Sequence, residues 1–292
     1  LAWLRGLSGQ KTLLGQFCGW ATTLSDHYLR DMQARTGKRP MYVMAAYESP
    51  VGEGNLQFDA VNALLKREWD AGALVGVIAY PRNPATGRGF GGRDLVVWDS
   101  LFDTGTATGR AWAAYVDQYA QGLKALRAMG VSTFVVQPFA EMNTPAFWWG
   151  SRTREQFVRL WRWLHDRLRV QHGLTDLIWV LNPLDTDKDS PTYYHPGSQY
   201  VDVVGLNVYP PSADYVLQRT RDAWAAVLAM GAVPVWAEFG IPDTRLSYAP
   251  LPASLEQHCP QAAWVLAWDE YWAWTSHPGV DTVVASPRML TR

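Results

Sequence analysis

The chain has 292 residues, with 26 Lys plus Arg against 27 Asp plus Glu, for a formal net charge of -1. That balance offers no basic face for nucleic acid, and no apolar run approaches the roughly 18 residues of a membrane span. Two cysteines, Cys18 and Cys259, cannot make a disulfide framework, and are either free thiols or one bridge between the first and last parts of the chain.

Strand-like and helix-like segments alternate throughout. Leu13 to Trp20 reads as a first strand, Leu24 to Arg35 as a helix stopped at Gly37, and Arg39 to Tyr47 as a second strand. Phe58 to Ala71 is a helix ended by Gly72, and Ala73 to Tyr80 is a third strand closed by Pro81. A long irregular stretch, 82–109, follows, of a length that is usually functional or mobile. Trp112, Tyr115, Val116, Tyr119, Leu123 and Leu126 recur at helical spacing up to Gly130, and Thr133 to Phe139 is the fourth strand. Phe157, Leu160, Trp161, Leu164 and Leu168 make the next helical stripe, closed by His172-Gly173.

Leu177 to Leu181 and Val201 to Tyr209 are the fifth and sixth strands, and Tyr215 to Met230 is a helix ended by Gly231. Val233 to Ala237 and Ala262 to Trp268 are the seventh and eighth strands, followed by a weakly signalled helix within Thr282 to Arg292. Alternating β and α segments demand a parallel sheet, and eight such strands favour a closed (β/α)8 barrel spanning 1–292 as a single domain.

Two carboxylates stand out. Glu141 and Glu238 each follow an apolar strand, the fourth and the seventh, and burying a carboxylate there is costly unless something uses or pairs it. In a parallel barrel both lie at the C-terminal rim, where such folds hold their active sites. A facing carboxylate pair is the apparatus of glycoside hydrolysis, with Glu141 expected as acid/base and Glu238 as nucleophile. Tryptophan is also abundant, at 16 residues, and aromatic faces stack on sugar rings as readily as they fill cores.

The remaining patterns carry less. Gly87 to Gly92 fits G-x-G-x-x-G literally but opens no clear helix and lies outside a first βαβ unit, so a lid or subsite loop is the better reading than dinucleotide binding. The six histidines have no metal spacing, and no cofactor is expected; His195 sits on the catalytic face but reads as a surface-loop residue. No serine-hydrolase elbow is present.

The run Gln137-Pro138-Phe139-Ala140-Glu141-Met142-Asn143, followed by Phe147-Trp148-Trp149-Gly150, resembles the acid/base segment of glycoside hydrolase family 26, Arg-Pro-x-His-Glu-x-Asn followed by Trp-Phe-Trp-Trp-Gly. Ser8 to Gln16 resembles that family's first strand, Tyr200 to Tyr209 its sixth and the Glu238 segment its seventh. The resemblance implies a barrel with acid/base on strand four and nucleophile on strand seven, retaining chemistry, and most often β-1,4-mannan as substrate, with some members cutting mixed-linkage β-glucan or β-1,3-xylan. It also implies that Tyr209 holds the nucleophile and that Trp268 stacks the sugar at the cleavage point. Trp148 or Trp149 is expected to line the cleft while the other packs, Asn143 to orient Glu141 or a sugar hydroxyl, and Gln16 and Tyr47 to reach the cleft from strands one and two. The chain departs from the family at Gln137 for Arg, Ala140 for His and Asn207 for the strand-six Asp. These changes motivate the alternative of a non-catalytic glycan-binding barrel. A poly- or oligosaccharide partner, a monomer and a secreted or cell-surface location, with the signal peptide already absent at Leu1, complete the expectations.

Overall fold

The computed structural model describes residues 1–186, 189–212 and 215–292. Eight parallel strands close on themselves: β1 (Thr12–Trp20), β2 (Tyr42–Ala46), β3 (Leu74–Ala79), β4 (Phe134–Pro138), β5 (Leu177–Leu181), β6 (Val203–Val208), β7 (Val233–Phe239) and β8 (Trp264–Ala267), with β8 and β2 both paired to β1. This is the (β/α)8 barrel. Strand burial is nearly continuous rather than alternating, because the barrel interior covers one face and helices the other.

The helices around it are α1 (Ala2–Leu7), α2 (His27–Thr36), α3 (Asp59–Asp70), α4 (Ala107–Ala128), α5 (Arg154–Asp166), α6 (Gln218–Ala229), α7 (Leu251–His258) and α8 (Val280–Ala285). Gly37 ends α2 at φ 70°, a left-handed value that glycine adopts without a Cβ penalty. Thr153 and Gln156 cap α5 reciprocally, each side chain accepting from the other's backbone N–H at 3.3 and 3.2 Å. The interior is packed by size complementarity. Tyr42 fills the barrel beside Gly76 of β3, where a Cβ would lie 2.7 Å from the Tyr42 hydroxyl.

Three elements were not expected. Helix α1 lies ahead of β1, α7 lies between β7 and β8, and a two-residue strand β9 (Met289–Leu290) pairs with Thr12–Leu13. The weak final helix is shorter and earlier than Thr282 to Arg292, because Pro287 cannot sit within a helix and the chain beyond it runs extended onto β1. Helix α6 starts at Gln218 rather than Tyr215. Cys18 and Cys259 are both buried and free, so the bridge is not made.

The chain's end is locked onto the N-terminal end of the barrel by charge. Glu68 of α3 is 1% exposed and accepts from Arg39 at 2.8 Å, from Arg67 at 2.9 Å and from Arg292. Removing this buried carboxylate takes their acidic partner from Arg39 and Arg292, while Arg67 keeps Asp26 at 3.0 Å. Glu68→Ala is therefore expected to destabilise the protein by about 3–5 kcal/mol in denaturant unfolding. Because Glu68 is remote from the strands' C-terminal ends, KM of the folded variant should stay at the parent value.

Candidate active site

The C-terminal ends of the strands surround a cavity of about 310 Å³. Glu141, Glu238, Tyr80 and Tyr209 border it, and Trp20, Phe90, Phe147, Trp268, Trp272 and Pro50 complete its wall. The volume is at the lower end for a small-ligand site, and the walls set flat aromatic faces around a few acidic oxygens.

Local backbone geometry aims both carboxylates inward. Phe139 and Glu141, just past β4, have φ of 58° and 54°, a left-handed conformation that a non-glycine residue adopts only when its surroundings impose it. Here the Glu141 N–H is held by the Asn182 carbonyl at 2.9 Å, and the Glu141 carbonyl accepts from Thr144 N–H at 3.0 Å. On β7 the pairing with β6 slips after Leu206–Trp236, so Asn207 stands opposite Glu238 instead of Ala237. A bulge of this kind re-aims the side chains beyond it. Gly240 then lets the strand pass Trp272, since a Cβ there would lie 2.2 Å from its ring.

The two carboxylates are linked through two amides. Asn207 Nδ2 donates to Glu141 Oε1 at 3.2 Å, Asn182 Nδ2 donates to Asn207 Oδ1 at 3.1 Å, and the same Nδ2 donates to Glu238 Oε1 at 3.2 Å. Glu238 is 2% exposed and also accepts from Gln137 Nε2 at 3.0 Å, Tyr80 hydroxyl at 3.3 Å and, on Oε2, Tyr209 hydroxyl at 3.1 Å. Burial and then the charge of Glu141 push Glu238 up to about 8, against the pull of Tyr209, Asn207 and Tyr80. Burial also raises Glu141, opposed by Asn207 and helped by the charge of Asp185. The carboxyls titrate as a pair. Among the described residues four donors favour the charge on Glu238, and a single side-chain donor on Glu141 leaves the proton there.

The other residues singled out in the sequence are distributed unevenly. Tyr209 meets Glu238, and Trp268 is on the cavity wall, stacked on Phe17 with ring centroids 4.1 Å apart. Trp148 and Trp149 are both fully buried and neither is on the wall; their indole N–H groups are spent on Pro81 and Ala140 carbonyls, and Phe147, stacked on Trp149 at 4.6 Å, takes the exposed place. Asn143 does not turn to Glu141: both ends of its amide bind the backbone of Leu184 at 2.9 Å. Gln16 is likewise consumed, donating to Phe17 and Trp268 carbonyls at 2.7 and 3.0 Å. Tyr47 points outward to Asn62 at 2.7 Å. A buried amide or phenol must find partners, and these found backbone or core partners before the cleft.

His195 lies outside the cavity wall and accepts at Nδ1 from Gly197 N–H at 3.2 Å; burial and Arg154 lower its pKa. The glycine-rich segment is a loop that ties onto its neighbours through Gly89 N–H to Gly52 carbonyl at 3.0 Å and Trp148 N–H to Phe90 carbonyl at 2.7 Å. It gives Phe90 to the cavity. Tyr80, Asn182, Gln137, Trp20 and Trp272 were not picked out in the sequence as site residues. Tyr80 and Asn182 carry the same signal as the two glutamates, a polar group just beyond an apolar strand.

Residues 1–291 match the profile of glycosyl hydrolase family 26. The chain belongs to that family. A mannan endo-1,4-beta-mannosidase of Caldalkalibacillus mannanilyticus is 27% identical over 93% of this chain and 56% of its own length. A Bacillus subtilis mannan endo-1,4-beta-mannosidase is 27% identical over 100% of this chain and 84% of its own length. The chain thus spans little more than half of the first relative. A solved Bacillus subtilis mannanase superposes with a TM-score of 0.90 at 25% identity, covering 99% of this chain and 90% of that one. Among the described residues no helix is long and apolar enough to cross a membrane, and no group of three or more His, Cys, Asp and Glu is placed to hold a metal ion.

Proposed function

We propose that the chain is a retaining glycoside hydrolase that cuts β-1,4-mannan internally, with Glu141 as acid/base and Glu238 as nucleophile, the whole barrel acting as one catalytic unit. The observation that carries this is the pair of amide-linked carboxylates inside an aromatic-walled cavity at the strand ends. Membership of family 26 and the mannanase names of its relatives support the substrate.

In the first step Glu141 gives its proton to the glycosidic oxygen as the bond to the anomeric carbon breaks, and Glu238 attacks that carbon from the opposite side. Three donors, Tyr80, Gln137 and Asn182, sit on Oε1 of Glu238, so Oε2, with Tyr209 alone, is the freer oxygen for attack. In the second step Glu141, now a carboxylate, takes a proton from water as it releases the sugar and regenerates Glu238. Glu48, another buried glutamate at this rim, is absent from the cavity wall, so it has no direct part in these steps.

Activity needs the pair to hold one proton. Since both carboxyls are raised above the ordinary carboxylate range, both limbs of the kcat/KM profile are expected above about pH 4.5. Activity should be high near neutrality and fall as acid protonates Glu238. A maximum near pH 4 with half the activity gone by pH 6 would contradict this assignment. The substrate is tested by hydrolysis of β-mannan, glucomannan, mixed-linkage β-glucan and β-xylans. Fragmentation of β-mannan into oligosaccharides is expected; binding without cleavage of any polymer would favour the glycan-binding barrel.

A further inference from the structure

Glu48 follows β2 and is 4% exposed, with burial pushing its carboxyl up to about 7. Its Oε1 accepts from the backbone N–H of Tyr80 at 3.2 Å and from the Tyr115 hydroxyl of α4. Among the described residues its Oε2 has no hydrogen-bond partner, and its own carbonyl accepts from Ala21 N–H at 2.9 Å. A buried carboxylate with one oxygen left over is costly, and an apolar residue would fill the same volume more cheaply.

What the carboxylate does is local. Tyr80 is the first residue beyond β3, and β2 stops at Ala46, so the Tyr80 N–H has run past its strand partners. Glu48 takes the place of the absent strand. The Tyr80 phenol, on the cavity wall, then reaches Oε1 of Glu238 at 3.3 Å, its ring set edge-on to Trp20 at 5.2 Å and to Phe147 at 5.3 Å. The Ala21 contact fixes the neighbour of Trp20 from the same residue.

We propose that Glu48 is a positioning residue for the reaction: it anchors the backbone of Tyr80 so that the Tyr80 hydroxyl stays on Oε1 of Glu238. This rests on Glu238 being the nucleophile. Glu48 acts through Tyr80 and touches no part of the cavity itself.

The test is a double-mutant cycle on β-mannan with separate kcat and KM. Tyr80→Phe keeps the ring and removes the hydroxyl, and is expected to lower kcat about ten- to a hundredfold, the usual effect of one hydrogen bond to a charged group. Glu48→Leu should lower kcat to a similar extent while KM moves less than about threefold. In the Tyr80→Phe background Glu48→Leu should cost no more than about twofold, because there is no hydroxyl left to position. Glu48→Gln keeps a carbonyl acceptor for Tyr80 N–H and Tyr115 O–H and should recover most of what Glu48→Leu loses. Should Glu48→Leu fail to fold by circular dichroism, Glu48→Met replaces it with the same expectations. Multiplying losses in the double variant, a parent-like kcat for folded Glu48→Leu, or no recovery by Glu48→Gln would each overturn the role of Glu48. Glu238→Ala in the same assay separates the two readings. If it still cleaves, the nucleophile assignment is wrong; if it is inactive while the cycle is additive, only the role of Glu48 is.

Discussion

Glu238→Ala should lower kcat on β-mannan by at least about 10⁴-fold, and azide should restore turnover with an α-glycosyl azide as product. The reasoning is steric and stereochemical. Removing the carboxylate leaves room on the face it occupied, so a small anion can attack the anomeric carbon while Glu141 still protonates the leaving oxygen. One inversion from a β-linkage yields the α-azide. The same residue has a thermodynamic signature. The ionisation it shares with Glu141 is raised from 4.5 to about 8 in the folded protein, so the pair keeps one proton, held on Glu141, where the unfolded chain has already lost both. The pair's contribution to stability is intact below pH 4.5 and is lost as pH rises towards 8 and the second carboxyl ionises. Glu238→Gln removes the partner charge and weakens that dependence, and is expected to raise the melting temperature by a few degrees near pH 8 and by nothing at pH 4. An active Glu238→Ala, or a pH-independent effect of Glu238→Gln, would exclude Glu238 as a buried nucleophile.

Much of the barrel was legible because its strands are short apolar runs punctuated by glycines at helix ends, as at Gly37, Gly72 and Gly130. Helix α7 was missed because Pro250 and Pro252 look like loop residues, although proline in the first helical turn breaks no intrahelical hydrogen bond. Strand β9 is too short to give a periodic signal, and only its pairing with Thr12–Leu13 defines it.

The site was legible where one residue has no other use. A glutamate beyond an apolar strand has few ways to be buried, and both Glu141 and Glu238 reach the cavity. Aromatic and amide residues have many. Trp148, Trp149, Asn143 and Gln16 were each absorbed by packing or by backbone carbonyls, while Trp20, Phe90, Phe147 and Trp272 form the wall. Which tryptophan faces the cleft is decided by turns and register, and these leave no mark on residue type. The left-handed backbone at Phe139 and Glu141 involves no glycine, and the slip between Leu206 and Asn207 has no signature in either strand.

The departures at Gln137 and Asn207 become intelligible in the same terms. Both are neutral amides, one donating to Glu238 and the other to Glu141, so the carboxylate pair is held here by dipoles rather than by a cation and a third acid. Nothing in the structure gives Ala140 a compensating polar partner beyond its carbonyl, which Trp149 occupies at 2.9 Å. The ionisation of Glu238 thus depends on hydrogen bonds from Tyr80, Gln137, Asn182 and Tyr209 together.

Glu141→Ala has a different expected profile from Glu238→Ala, and the contrast assigns the roles. On β-mannan kcat should fall about 10²–10⁴-fold, the usual contribution of general acid catalysis. On an aryl β-mannoside whose phenol leaves without protonation, such as 2,4-dinitrophenol, Glu238 should still attack at close to the parent rate. The glycosyl-enzyme then accumulates, because no base remains to activate water, and a burst of phenolate is expected before a slow steady state. Azide needs no base, so it should speed the steady state and give a β-glycosyl azide, the product of two inversions. Opposite azide configurations from the two variants would fix Glu238 as the attacking residue and Glu141 as the acid/base. An α-azide from Glu141→Ala with a β-azide from Glu238→Ala would exchange the roles, and the four donors on Glu238 would then have to be explained as holding a neutral acid rather than an anion.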